Sequence, residues 1–139
     1  MSTKDSAQLR KEYGLVLKEE LDLLAAANPG ILAAQVCTSD GFEVASTQRS
    51  AESHRRLAAM VSSMQALGAA VVEETEMGEY RNLIIEATDG KCAMMAVPGS
   101  QGDILLTAIA DSKLVFGIFL VLCKNTCRVM GERLATTRY

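Results

Sequence analysis

Two neighbouring stretches, Cys92–Val97 and Ile104–Ala110, are apolar at nearly every position, and only Pro98-Gly99 and a short polar loop separate them. Runs this short, bounded by turn residues, read as strands. A strand that is apolar on both sides has to be covered on both sides. The chain therefore needs a sheet with helices above and below it, and the rest of the sequence must supply them.

Three segments do. Leu9, Tyr13, Val16, Leu17, Leu21 and Leu24 recur at helical spacing within Ser6–Ala27, and Asn28-Pro29-Gly30 ends that helix, Gly30 being expected to take the left-handed exit. A second helix is expected over His54–Thr75, with Ser50 and Ser53 as candidate N-caps. It carries two stripes. One is bulky (Leu57, Met60, Val61, Met64, Leu67, Val71), and the other is small (Ala59, Ser62, Ser63, Ala66, Ala69, Ala70). A helix packed once needs a single apolar face, so the small stripe is read as room for a second helix at close approach. The alternative is that Ala and Ser supply only helix propensity and an indifferent surface. A third helix is expected from about Lys113 to Leu134, capped by Asp111-Ser112, although Gly117 weakens its first half by about 1 kcal/mol.

Between the helices lie Ile31–Thr38, the Asp40-Gly41 turn and Phe42–Thr47, a hairpin; then Tyr80–Thr88, the Asp89-Gly90 turn, Lys91–Val97 and Asp103–Ala110. The element order is α-β-β-α-β-β-β-α. Its 139 residues fit a single domain, taken as residues 1–139 with a core of about 6–134, long enough to bury a core without metals or disulfides.

Charge narrows the partners. A net charge of −3 with interspersed signs offers no basic field for nucleic acid or an anionic membrane. The first eleven residues lack an apolar signal core, and the longest apolar run, Leu114–Cys123, is about half of a bilayer span. The chain is expected to be soluble and cytoplasmic. Cys37, Cys92, Cys123 and Cys127 contain no C-x-x-C pair and are read as buried small hydrophobes, not ligands or disulfides; no metal and no cofactor is expected. His54, beside Arg55 and Arg56, is read as solvated helix surface. Glu73, Glu74 and Glu76 are read the same way. There is no phosphate-binding glycine loop and no calcium loop, and only Cys127, followed by Arg128, approaches a thiol with a basic neighbour. The chain is not expected to be an enzyme.

The residues Pro29-Gly30-Ile31 leading to Val36, Asp40-Gly41-Phe42, the helix Leu57–Val72, Leu83-Ile84-Ile85, and Asp111–Lys124 with its Gly117 together resemble the roadblock (dynein light chain) family, in character its bacterial and archaeal members. The resemblance spans about Glu12–Leu134. It implies a roadblock/profilin-like fold, an α/β (α+β) chain with a five-stranded antiparallel sheet, one helix on one face and two on the other. It implies a homodimer made by pairing the third strand and the middle helix with their copies, here Tyr80, Leu83 and Ile85 with Ala59, Ser62, Ser63, Ala66 and Ala70. It also implies a small Ras-like GTPase as partner, since bacterial gliding-motility regulators stimulate theirs and lysosomal relatives scaffold one. Arg55, Arg56, Glu73 and Glu74 would then flank the seam as a partner surface. A sensory module holding a small molecule between Met60, Met94 and Met95 is the alternative.

Overall fold

The computed structural model describes residues 6–47, 51–100 and 102–137. The elements are α1 (Ser6–Ala27), β1 (Ile31–Thr38), β2 (Glu43–Ser46), α2 (Ala51–Glu74), β3 (Asn82–Ala87), β4 (Gly90–Ala96), β5 (Ile104–Asp111) and α3 (Phe116–Thr137). All pairings are antiparallel, in the order β2-β1-β5-β4-β3. The expected order holds throughout, and the doubly apolar runs became β4 and β5, beside each other in the middle of the sheet.

Alternation along those strands feeds two cores. Met95, Val97, Leu106 and Ala108 face α1 and α3, joining Leu17, Leu21, Phe119, Cys123 and Met130 in a large cluster. Met94 and Leu105 face the other way and meet Cys37, Ala58 and Val61 beneath α2. One helix covers one face and two cover the other. Met94 and Met95, adjacent on β4, therefore point into different cores, and Met60 is 55% exposed on α2. The three methionines do not line one cavity, contrary to the expectation.

Several local expectations are corrected. Ser50 lies outside the described residues. Ser53 sits inside α2, not at its cap, because the helix begins at Ala51. Gly30 does not take a left-handed φ, which is reserved here for Gly41, Gly78, Gly99, Gly102 and Glu76. Its smallness matters instead, since a Cβ there would sit 2.9 Å from Leu114 Cβ. Asp111 does not cap α3 directly. Its Oδ1 accepts from the backbone N–H groups of Lys113 (3.0 Å) and Leu114 (2.9 Å), folding a turn that buries Leu114 before the helix starts at Phe116. The ends of α1 and β1 fall where expected, and the other strand and helix ends move by one to three residues, as edges do.

Candidate docking face

The bulky stripe of α2 splits when the helix meets the sheet. Val61 is fully buried, and Leu57 and Met64 pack on the small core. Ala58, from neither stripe, is also fully buried, because a side chain nearest the sheet must be short for the helix to sit down. Met60, Leu67 and Val71 turn outward, with Leu67 66% exposed. Ala59, Ser63, Ala66 and Ala70 are exposed in the same outward direction, and Ser62 is half-buried. The hydroxyls of Ser62 and Ser63 both donate back to the Ala59 carbonyl, at 3.2 and 3.4 Å. That local bonding satisfies their polar hydrogens and leaves a mostly apolar surface. Ala59 and Ser62 also have work within the chain. The Gly41 turn seats against them, its missing Cβ lying 3.2 Å from Ser62 Oγ and 3.4 Å from Ala59 Cα.

Beside this helix face runs β3. It bonds to β4 along one side, from Asn82 opposite Met95 to Ala87 opposite Gly90, and no strand lies on its other side among the described residues. Leu83 packs toward the α2 core, and Ile84 toward the other. Ile85, on the same side as Leu83, stays exposed. Tyr80 falls just before the strand instead of in it. Its ring lies over Gly68 of α2, where a Cβ would come within 2.8 Å of Cε1. Burial raises the Tyr80 phenol above its ordinary pKa. The glycine is the signal for this contact, since a bare backbone patch in a helix marks close approach.

The four charged residues do not come together within one chain. Arg55 and Arg56 sit one turn into α2 and Glu73 and Glu74 in its last turn, all exposed and about 27 Å apart along the axis. Arg56 holds Glu52 at 2.8 Å across one turn.

His54 is the clearest departure from expectation. It is buried, not solvated, because α2 starts earlier than expected and turns this residue toward β2 and the sheet. Ser46 gives its hydroxyl hydrogen to Glu43, so it meets His54 Nδ1 (2.9 Å) as acceptor and Nδ1 carries the hydrogen. Gln35 Nε2 donates to the His54 carbonyl at 2.6 Å. Gln35, His54 and Thr107 line a small pocket of about 10 Å3 with Ala33, Ala34, Ser53, Leu57 and Ile109, room for one water molecule at most. Gln35 Oε1, His54 Nε2 and Thr107 Oγ1 have no protein partner there. Nothing in the sequence announced this cluster except the polar residues Gln35 and Thr107 within otherwise apolar strands.

Cys37, Cys123 and Cys127 are buried as expected, whereas Cys92 is half-buried. Burial pushes Cys37, Cys123 and Cys127 up to about 12 and Cys92 up to about 11. The Arg128 guanidinium, the basic neighbour of Cys127 in sequence, is turned to Glu132 and Asn125, each at 2.8 Å. No group of three or more His, Cys, Asp or Glu side chains fit to hold a metal occurs among the described residues. No helix among them is long and apolar enough to cross a membrane.

A five-stranded antiparallel sheet in the order β2-β1-β5-β4-β3, with one helix on one face and two on the other, places the chain among the roadblock/profilin-like α/β proteins. Residues 17–111 match the Roadblock/LC7 domain, and the chain belongs to that family. No enzymatic family is indicated. Among solved structures, Myxococcus xanthus MglB is similar with a TM-score of 0.79 at 14% identity, over 92% of this chain and 94% of that one. A Roadblock/LC7 domain from Streptomyces avermitilis gives 0.77 at 15% identity, over 85% and 97%. Acanthamoeba castellanii profilin IB gives 0.56 at 10% identity, over 84% and 98%. At such identities the likeness is one of fold. No curated protein matches the chain.

Proposed function

We propose that the chain is a homodimeric, non-catalytic regulator or scaffold for a small Ras-like GTPase, acting on its nucleotide cycle or location in the cytoplasm. The whole chain serves as one unit. The observation that carries this reading is the outward face of α2, lined by Ala59, Ser63, Ala66 and Ala70, next to the open edge of β3. An unpaired edge strand is an aggregation hazard unless covered, and a second copy related by a two-fold axis covers edge and helix face together. Leu83, Ile85 and Tyr80 lie beside that seam. Family membership supports a GTPase as the molecule that reads the double-width platform.

The sensory alternative receives no comparable support, because Met94 and Met95 point into different cores and Met60 faces outward, so the three do not line one cavity.

Light scattering tests the assembly: the wild-type chain runs as a dimer at micromolar concentration, and Ala66→Arg, at an exposed position, runs as a folded monomer. Pull-downs with small GTPases encoded by the same organism, each loaded with GDP or GTP, test the partner. A monomeric wild type overturns the assembly. Absence of any captured GTPase, with no change in hydrolysis rate, overturns the partner.

A further inference from the structure

Apart from Glu52 in its first turn, the charges near the ends of α2 run against the helix dipole. A helix N-terminus favours acidic groups and a C-terminus favours basic ones, yet Arg55 and Arg56 stand one turn from the start. Glu73 and Glu74 occupy the last turn, which holds no basic residue. Within one chain the exposed Arg56–Glu52 pair, at 2.8 Å, offsets only part of this. The arrangement becomes favourable when a second α2 lies antiparallel, because each basic end then meets an acidic one.

The spacing sets where the two helices must meet. Arg55 and Glu73 are eighteen residues apart, as are Arg56 and Glu74, which is five full turns at about 3.6 residues per turn. Each pair therefore shares one flank of the helix, Arg55 with Glu73 on one side and Arg56 with Glu74 on the other. Both pairs are centred at Met64–Gln65. The small outward residues have the same centre: Ala59 balances Ala70, and Ser63 balances Ala66. In an antiparallel pair crossing there, Ser63 of each copy packs on Ala66 of the other. Arg55 then lies on the same flank as Glu73 of the second copy and Arg56 on the same flank as Glu74, each within about one residue's rise (~1.5 Å) of level. The small residues at the crossing permit close approach, which brings the long charged side chains at both ends within reach.

We infer that these two charge pairs fix the register of the α2–α2 contact and select a second copy of this chain as the occupant of the face. The inference rests on the homodimer reading above. Fourfold repetition of the Arg–Glu pairing by symmetry makes the contact self-recognising, whereas a chain without acidic residues at the end of its helix would meet Arg55 and Arg56 with nothing to offset them.

Charge reversal tests this with the full-length chain, by sedimentation at fixed salt and with circular dichroism to verify folding. R55E/R56E and E73R/E74R, each alone, set like charges opposite one another at both ends and weaken self-association at least about tenfold. The quadruple variant restores wild-type affinity. An equimolar mixture of the two double variants forms a heterodimer in which every pair is complementary, and this species dominates. If the wild type is dimeric and both double variants dimerise as tightly as it does, the register inference falls and the homodimer stands. If the wild type is monomeric, both fall.

Discussion

Two glycines in α3 make opposite predictions from the same substitution. Glycine inside a helix costs about 1 kcal/mol relative to alanine, so Gly→Ala normally stabilises. At Gly117 an added Cβ meets nothing within 4 Å, and the ordinary rule should apply. Since Gly117 lies in the first turn of the helix, the gain is expected to be nearer ~0.5 kcal/mol. At Gly131 the same Cβ would stand 2.5 Å from the carbonyl oxygen of Pro98 and 3.4 Å from its carbon. That oxygen belongs to the backbone of the β4–β5 turn and cannot rotate away. Either α3 or the turn must move by several tenths of an ångström, and overpacking of this kind costs about 1–3 kcal/mol. Set against a propensity gain of about 1 kcal/mol, Gly131→Ala should be net destabilising by up to roughly 2 kcal/mol. For a chain of this length that lowers the melting temperature by up to about 8 °C. Thermal and urea unfolding of both variants, at one protein concentration so that any association is held constant, reads the difference. Should Gly131→Ala match or exceed Gly117→Ala in stability, the close approach of α3 to the β4–β5 turn is wrong.

Two further outcomes are expected. In the folded chain the thiols ionise near 11 to 12, while in the unfolded chain they ionise near the ordinary value of 9.0; the unfolded state thus binds fewer protons above pH 9, and stability falls as pH rises from there, by on the order of 1 kcal/mol per thiol per pH unit, which urea melts at pH 8 and pH 10 would reveal as unequal midpoints. Ser46→Ala removes the 2.9 Å partner of the His54 Nδ1–H, leaving it only the Glu43 carboxylate at 3.5 Å, and is expected to cost about 1 kcal/mol, measured by the same melts; an unchanged midpoint would mean the Ser46–His54 bond contributes no net stability.

Most of the architecture was legible because it follows from periodicity. The apolar runs at β4 and β5 required two covered faces, and Asp-Gly turns fixed where the hairpins fold. What stayed hidden depended on contacts between distant segments. His54 reads as surface from its neighbours Arg55 and Arg56, and only the placement of Ser46 and Glu43 on β2 makes a polar niche for it. The bulky stripe of α2 looked like the buried face, but Ala58 and Gly68 sit nearer the sheet and Tyr80, while Met60, Leu67 and Val71 turn away. Asp111 reads equally well as a cap or as a turn, and the burial of Leu114 decides between them. The exposed small residues of α2 were legible as a spare face; what covers it lies in another molecule.

The sheet's two sides are unequally furnished, and that has a dynamic consequence. Beneath α1 and α3 lies a broad layer that includes Leu17, Leu21, Leu106, Phe119 and Met130, whereas Cys37, Ala58, Val61, Met94 and Leu105 form the buried cluster under α2. A layer held by few shielded side chains opens at lower free energy than the rest. In dilute solution the amides of α2 should exchange with deuterium ahead of those of α1 and α3, and under the proposed pairing their protection should grow as protein is added. The helix offered to a partner would then gain its rigidity largely from that partner.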